Sequence, residues 1–226
     1  MISSLDFDTR LFGYPVGAVD WEADCKETDF LRAVKDFKLV YVFSEVPLSF
    51  ANPQFLPVDV KVLFEKELNF SQAVDGVQVF SQENPVSLSQ QEKEALRFLA
   101  LESGVYSRFK TDPRLVNEKF EKLYELWIDQ ALTKNELIIG THLEGMITYR
   151  IQEKTGKIGL FAVQPNHRQK GWGKKLVSAA EHYLGEKGIK KLQIPTQESN
   201  QSAMGLYQKI GYQVVRKTYI YHYWKD

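Results

Sequence analysis

The 226-residue chain has a single cysteine, Cys25, which excludes an internal disulfide and a cysteine-rich metal site. The acidic neighbours Glu22, Asp24 and Glu27 disfavour a thiolate, so Cys25 reads as structural. Excess charge is also missing. Lys plus Arg is 29 and Asp plus Glu is 29, and this balance argues against a general nucleic-acid binder. The N-terminus lacks the basic and apolar regions of a signal peptide, and no apolar run reaches membrane-spanning length. The expected location is therefore the cytoplasm, with neither nucleic acid nor membrane as partner. Four scattered histidines show no ligand spacing, so no metal is expected. Low-complexity tracts are absent, and the loose echo of Val42-Phe43-Ser44 in Val79-Phe80-Ser81 is too short for a repeat.

The periodicities that are present describe a mixed α/β chain. Phe30, Leu31, Val34 and Phe37 recur at helical spacing. Residues 39–43 suit a buried strand, and Val58, Val60, Val62 and Phe64 suit a half-buried one. A polar stretch at 69–75 suggests a boundary, giving a small N-terminal α/β domain over 1–72 and a second domain over 73–226. In the second, 77–80 reads as a strand and Ser89-Gln90-Gln91-Glu92 as a capping box. A loop follows over 103–116. Asn117 can cap a helix carrying Phe120, Leu123, Tyr124, Trp127, Ile128 and Ala131. Strands are expected at 137–139, 146–151 and 157–164, with a turn at 154–156 and Pro165 ending the third. A helix over about 171–186, a strand over 191–196, a helix over 200–209 and two last strands near 213–215 and 218–224 complete the chain.

The segment 158–187 carries the clearest chemistry. A strand ends at Pro165, and a loop containing Gly171 and Gly173 opens a helix. Free N–H groups and the dipole at a helix start favour an anion, and glycines let a pyrophosphate approach. Arg168, Lys170, Lys174 and Lys175 add positive charge. By itself the loop is equally a plain basic turn. A triphosphate loop needs Gly-Lys before Ser or Thr, and a dinucleotide fold needs a third spaced glycine; neither is present.

Asn200, Ala203, Leu206-Tyr207 and Gly211-Tyr212 resemble the last helix of the GNAT N-acetyltransferases, and residues 168–173 resemble that family's acetyl-CoA pyrophosphate motif. The resemblance covers the last two-thirds of the chain. It implies a GNAT-type mixed sheet flanked by helices and acetyl-CoA as cosubstrate. It implies that Phe161, Ala162 and Val163 pair through their backbone with pantetheine, and that Arg168, Gln169, Lys170, Gly171, Trp172, Gly173, Lys174 and Asn200 hold the rest of the cofactor. Tyr207 would be the catalytic acid for the departing thiolate, although on a helix with Leu206 and Ile210 it also reads as core. Asn200 is equally a good N-cap.

Within the superfamily, Asp8-Thr9-Arg10-Leu11-Phe12-Gly13, residues 107–113 and residues 120–127 are similar to the dTDP-fucosamine acetyltransferases. Leu11 stands where that pattern has Phe. This narrower resemblance implies a small-molecule amine as partner: the 4-amino group of a dTDP-linked 4-amino-4,6-dideoxygalactose used for surface polysaccharide. Arg108 and Lys110, with Arg114, would border the acceptor. Another amine, a protein N-terminus, or a non-catalytic acyl-CoA sensor are the alternatives. No carboxylate stands on residues 159–163, so His142, Glu144, Glu198 and His222 are the substitute bases considered, each also readable as structural. Tyr219, Tyr221 and Tyr223 share one strand face, as core, as an interface for a homodimer, or as a stacking surface.

Overall fold

A computed structural model describes residues 2–69, 72–116 and 118–225. Asn117 and part of the expected 69–75 boundary lie outside the described residues. The chain begins with β1 (Ser3–Ser4), α1 (Asp6–Phe12), β2 (Val16–Asp20), α2 (Glu27–Ala33), β3 (Leu39–Ser44) and β4 (Phe55–Glu67). It continues with β5 (Val77–Phe80), α3 (Gln90–Ser103), α4 (Arg108–Thr111), α5 (Glu118–Lys134), β6 (Leu137–Gly140), β7 (Gly145–Gln152) and β8 (Thr155–Val163). The last elements are α6 (Trp172–Glu186), β9 (Lys191–Gln197), α7 (Gln201–Lys209) and β10 (Gln213–Trp224).

The ten strands of the described residues join one mixed sheet in the order β1-β2-β3-β10-β4-β9-β8-β7-β6-β5. The expected division at residue 72 falls between β4 and β5, and strands from both sides of it alternate in the middle of the sheet. β4 is antiparallel to β9 on one side and to β10 on the other. The mixed sheet flanked by helices agrees with the expected fold class.

Both faces are covered, and the two-residue period of the strands sorts the core. Leu137 and Ile139 join Leu96, Leu99 and Leu123 of α3 and α5, whereas Ile138 joins Leu176, Val177 and Ala180 of α6 on the opposite face. Similarly Leu39 and Tyr41 face the α3–α5 side, while Val40 and Val42 pack with Phe30 of α2. Each fully buried Leu or Ile contributes about 1.5–3 kcal/mol.

Several local expectations need correction. The final segment is one strand rather than two; irregular pairing near Val215 and near Ile220 bends it without ending it. Of the readings open to the tyrosine face, the structure bears out core: Tyr221 and Tyr223 are buried among Phe30, Phe50 and Phe55, with Tyr219 packed alongside. The turn before β8 is centred on Glu153, which takes a left-handed φ of 56°, and Thr155 and Gly156 already belong to β8. The loop at 103–116 contains α4. The Ser89 capping box forms as expected, with Ser89 Oγ accepting from Glu92 N–H at 3.3 Å and Glu92 Oε2 accepting from Ser89 N–H at 2.7 Å.

Candidate active site

β8 is distorted in two ways that matter for ligand binding. Ile147 pairs with Phe161 and Tyr149 with Ile158, so Thr148 alone faces Gly159 and Leu160, which is a bulge. Thr148 Oγ1 accepts the Leu160 N–H at 2.7 Å, satisfying the displaced backbone. A side chain on Gly159 would lie 2.8 Å from that hydroxyl, so glycine is required by space. On the other side, β8 pairs with parallel β9 only at Thr155, Gly156 and Lys157. The two strands then separate, and residues 158–163 border a cavity of about 1300 Å³. A strand edge facing a cavity offers the N–H and C=O spacing that an amide-bearing ligand can extend.

The loop after β8 turns through two left-handed residues, Gln169 (φ 60°) and Gly171 (φ 84°). Gly171 caps α6, and Lys175 N–H donates to its carbonyl at 3.0 Å. The opening turn of α6 thus faces the cavity with unpaired N–H groups and the positive dipole end, a setting that fits a pyrophosphate. At Gly173 a Cβ would sit 2.9 Å from Leu206 Cδ2, so this glycine lets α6 approach α7.

The expected cofactor residues Phe161, Ala162, Val163, Arg168, Gln169, Gly171, Gly173, Lys174 and Asn200 all line the cavity. Lys170 and Trp172 do not. Lys170 is exposed, and the Trp172 ring packs near Gly140 beneath Lys175 Nζ, leaving only its backbone toward the loop. Arg168 is already engaged. Its Nε donates to the Val163 carbonyl at 3.1 Å and its guanidinium pairs with Glu102 at 2.6 Å, fastening the loop to β8 and α3. The Asn200 side chain caps α7 by accepting from Ala203 N–H at 3.2 Å.

Tyr207 also lines the cavity but is buried, with its ring 5.4 Å from Phe64 and 6.2 Å from Phe161. Burial raises the phenol pKa well above its ordinary value, so the hydroxyl carries its proton at neutral pH and can act as a donor. The two readings of Tyr207, core residue and proton donor, are compatible in this position.

Across the cavity, α4 is held against β4 by Thr111 Oγ1, which donates to the Val58 carbonyl at 2.8 Å. Arg108 extends from α4 over the Tyr41 ring at 4.4 Å and the Phe43 ring at 5.4 Å. Among the described residues its buried Nε meets no protein acceptor, and Arg108 lines the cavity. Lys110 lies over Phe120 at 4.9 Å and Arg114 over Trp224 at 5.3 Å, and neither borders the cavity.

None of the four bases considered from sequence lines this cavity. Glu144 is buried in the β6–β7 turn and accepts the His142 N–H at 2.9 Å. Glu198 pairs with Lys217 at 2.7 Å. His222 is sealed in the core against Asp112 at 2.6 Å. Four carboxylates line the cavity among the described residues: Asp8, Asp59, Glu102 and Glu136. Asp8 accepts from the Tyr41 hydroxyl at 3.0 Å and Glu102 is paired with Arg168, while Asp59 on β4, whose place on the polar half of an alternating strand gives no sign of a site, also borders the neighbouring cleft. Partial burial raises its pKa to about 7, even though Arg108, the Val60 N–H and Lys61 each pull it down. Its neighbour Lys61 opens on the same cavity, and its ammonium pKa is lowered by desolvation and by the like charge of Arg108. Among the described residues, no group of three or more His, Cys, Asp or Glu could hold a metal ion, and no helix is long and apolar enough to cross a membrane.

Comparison with known proteins agrees with this geometry. Residues 96–212 match the acetyltransferase (GNAT) family. An uncharacterized N-acetyltransferase of Bacillus subtilis, YhfO, is 44% identical over 54 residues, which is 24% of this chain and 36% of that protein. Among solved structures, a GCN5-related N-acetyltransferase from Sphaerobacter thermophilus is 15% identical, with a TM-score of 0.51 over 86% of this chain and 63% of that one. A functionally unknown protein from Staphylococcus epidermidis is 12% identical, with a TM-score of 0.57 over 94% of this chain and 85% of that one. The chain therefore spans about a third of the YhfO protein and under two-thirds of the Sphaerobacter one, and the solved structures speak for the fold. The chain belongs to the GNAT acetyltransferase family.

Proposed function

We propose that this protein transfers the acetyl group of acetyl-CoA to the amino group of a dTDP-linked 4-amino-4,6-dideoxy sugar. The observation that carries the reading is the convergence of four features on one cavity: the splayed, bulged edge of β8, the glycine-capped start of α6, the protonated Tyr207 phenol and the Arg108 guanidinium, whose Nε has no protein acceptor among the described residues. Residues 159–163 would hold pantetheine through their backbone. The α6 start with Gln169, Gly171, Gly173 and Lys174 would hold the pyrophosphate. Acetyl-CoA supplies an activated thioester; the protein orients it and gives the leaving sulfur a proton from Tyr207.

On the acceptor side, Arg108 stacked on Tyr41 presents a cation suited to a sugar diphosphate, and the cavity is larger than pantetheine alone requires. Such a product serves surface polysaccharide, including lipopolysaccharide, synthesis, and its substrates are cytoplasmic. The exposed Val214 and Val215 on β10, beyond its pairing with β3, support a homodimer through that edge.

The test is thiol release from acetyl-CoA with dTDP-4-amino-4,6-dideoxygalactose, followed by mass spectrometry of the product. N-acetylation of that sugar is expected. Transfer only to polyamines or peptide N-termini would replace the acceptor assignment, and acetyl-CoA binding without transfer to any amine would overturn the enzymatic one.

A further inference from the structure

We infer that Asp59 is the group that takes the proton from the acceptor's ammonium before it attacks the thioester. This rests on the acetyltransferase reading above and adds the residue that reading lacks.

The position of Asp59 follows from the sheet order. β9 pairs with β4 from Lys191–Glu67 as far as Gln197–Lys61, and the chain then leaves the sheet. The first half of β4 is thereby unpaired on the β9 side, apart from the Glu198 N–H donated to the Val60 carbonyl at 2.8 Å. A second, smaller cleft of about 510 Å³ opens there, walled by Pro57, Val58 and Val60 of β4, Thr111 of α4 and the turn at 198–201. Asp59 borders both this cleft and the large cavity that holds Tyr207 and the β8 edge. A carboxylate at this junction meets an acceptor without displacing the pantetheine edge.

The groups facing Asp59 make it a workable base. Arg108 of α4 is the cation that lowers its pKa most, and Lys61, two residues along its own strand, lowers it less. Tyr124 of α5 is within its electrostatic reach, and the Lys61 ammonium lies in turn under the influence of Arg216 on β10 and Arg150 on β7. On β10 its register partner is the apolar Ile220. Burial raises the carboxyl pKa and Arg108 restrains it, leaving a value of about 7. A base with that value is about half ionised at pH 7 and increasingly so above it, and it is strong enough to accept from an amine of moderate pKa.

The proton balance closes. Asp59 takes one proton from R–NH3+; the freed nitrogen lone pair forms the N–C bond, and the C–S bond breaks. The sulfur takes the Tyr207 proton and leaves as the CoA thiol. The second nitrogen proton restores Tyr207, directly or through solvent. Asp59 then releases its proton, so one amide, one thiol and one H+ result.

The experiment measures thiol release from pH 5.5 to 9.5 for wild type, Asp59→Asn, Asp59→Glu and Arg108→Gln. The acceptor is dTDP-4-amino-4,6-dideoxygalactose or, if that is refused, whichever of glucosamine, spermidine or a short peptide the wild type acetylates. Asp59→Asn should lower kcat at pH 7 by about 100-fold or more and remove the acidic limb near pH 7. Its rate should recover with rising pH as the amine loses its own proton, while acetyl-CoA affinity stays unchanged. Asp59→Glu should restore part of the rate, and Arg108→Gln should move the limb to higher pH. A limb unchanged in Asp59→Asn, or, should that variant not fold, unmoved in Arg108→Gln, overturns the role of Asp59 and leaves the transferase reading standing. A wild type that binds acetyl-CoA and acetylates no amine overturns both.

Discussion

His222 and Asp112, 110 positions apart in the chain, meet in the core with His222 Nδ1 2.6 Å from Asp112 Oδ2 and neither side chain exposed. Trp224 Nε1 donates to the same oxygen at 2.8 Å, and Arg114 N–H donates to the other at 2.8 Å. Burial alone would raise the Asp112 pKa, but these N–H donors outweigh it and keep the carboxyl below its usual range. The imidazole is driven the other way. Desolvation lowers its pKa to about 4, so it is neutral and donates through Nδ1 to the ionised carboxylate. The pair ties β10 to the α4–α5 segment that carries Arg108.

That arrangement predicts acid sensitivity. Between pH 6.5 and about 4 the unfolded chain binds a proton at residue 222 that the folded protein refuses, so stability present above pH 6.5 is lost as pH falls. The depressed carboxyl of Asp112 acts in the same direction at lower pH. The loss should be on the order of 3 kcal/mol by pH 4. His222→Gln should cost about 1–3 kcal/mol at pH 7.5 and flatten the slope. Urea melts at several pH values check both.

Tyr207→Phe removes a hydroxyl without a protein hydrogen-bond partner among the described residues, so stability should change little. Turnover should fall by about 100-fold or more, with acetyl-CoA affinity unchanged by calorimetry. Full turnover in the variant would remove Tyr207 as the proton donor.

Gly171→Ala places a side chain at a φ of 84° with no clash around it. Its cost is therefore backbone strain, about 1–2 kcal/mol. The melting temperature should drop, and acetyl-CoA should bind several-fold more weakly as the loop relaxes. Gly173→Ala should act differently, by pressing on Leu206 and displacing α7 with Tyr207, so that kcat falls as well.

Arg108→Gln removes, from a residue lining the cavity, a guanidinium whose Nε has no protein acceptor among the described residues. The acceptor KM should rise roughly 10-fold, a charge-assisted hydrogen-bond loss of about 1.5 kcal/mol, while acetyl-CoA binding is preserved. Lys110→Gln, outside the cavity, should leave both constants near wild type. Initial-rate kinetics with each substrate varied separate the two residues.

The parts legible in sequence are those encoded by neighbours in the chain. The Ser89 capping box, the Gly171 cap, the stripe of Leu176, Val177, Ala180 and Leu184 and the Asn200 cap each depend on residues within a few turns of one another. The β8 loop could therefore be set out as an anion site from residue types and spacing, and it is the resemblance of α7, with Tyr207, to a known family that makes acetyl-CoA the expected ligand.

Asp59 could not be found that way. On β4 it has the pattern of a polar residue on a half-buried strand, and its function depends on what lies beside that strand. Only the tertiary structure sets β4 between β9 and β10, ends β9 at Gln197 so that a second cleft opens, and brings Arg108 within electrostatic reach of Asp59 across 49 positions of chain. It likewise sealed His222 in the core and turned Arg168 toward Glu102. Local propensity determines which segments become strands and helices. Which strands become neighbours is decided by burying two sheet faces at once, and that balance shows only when the whole chain is folded.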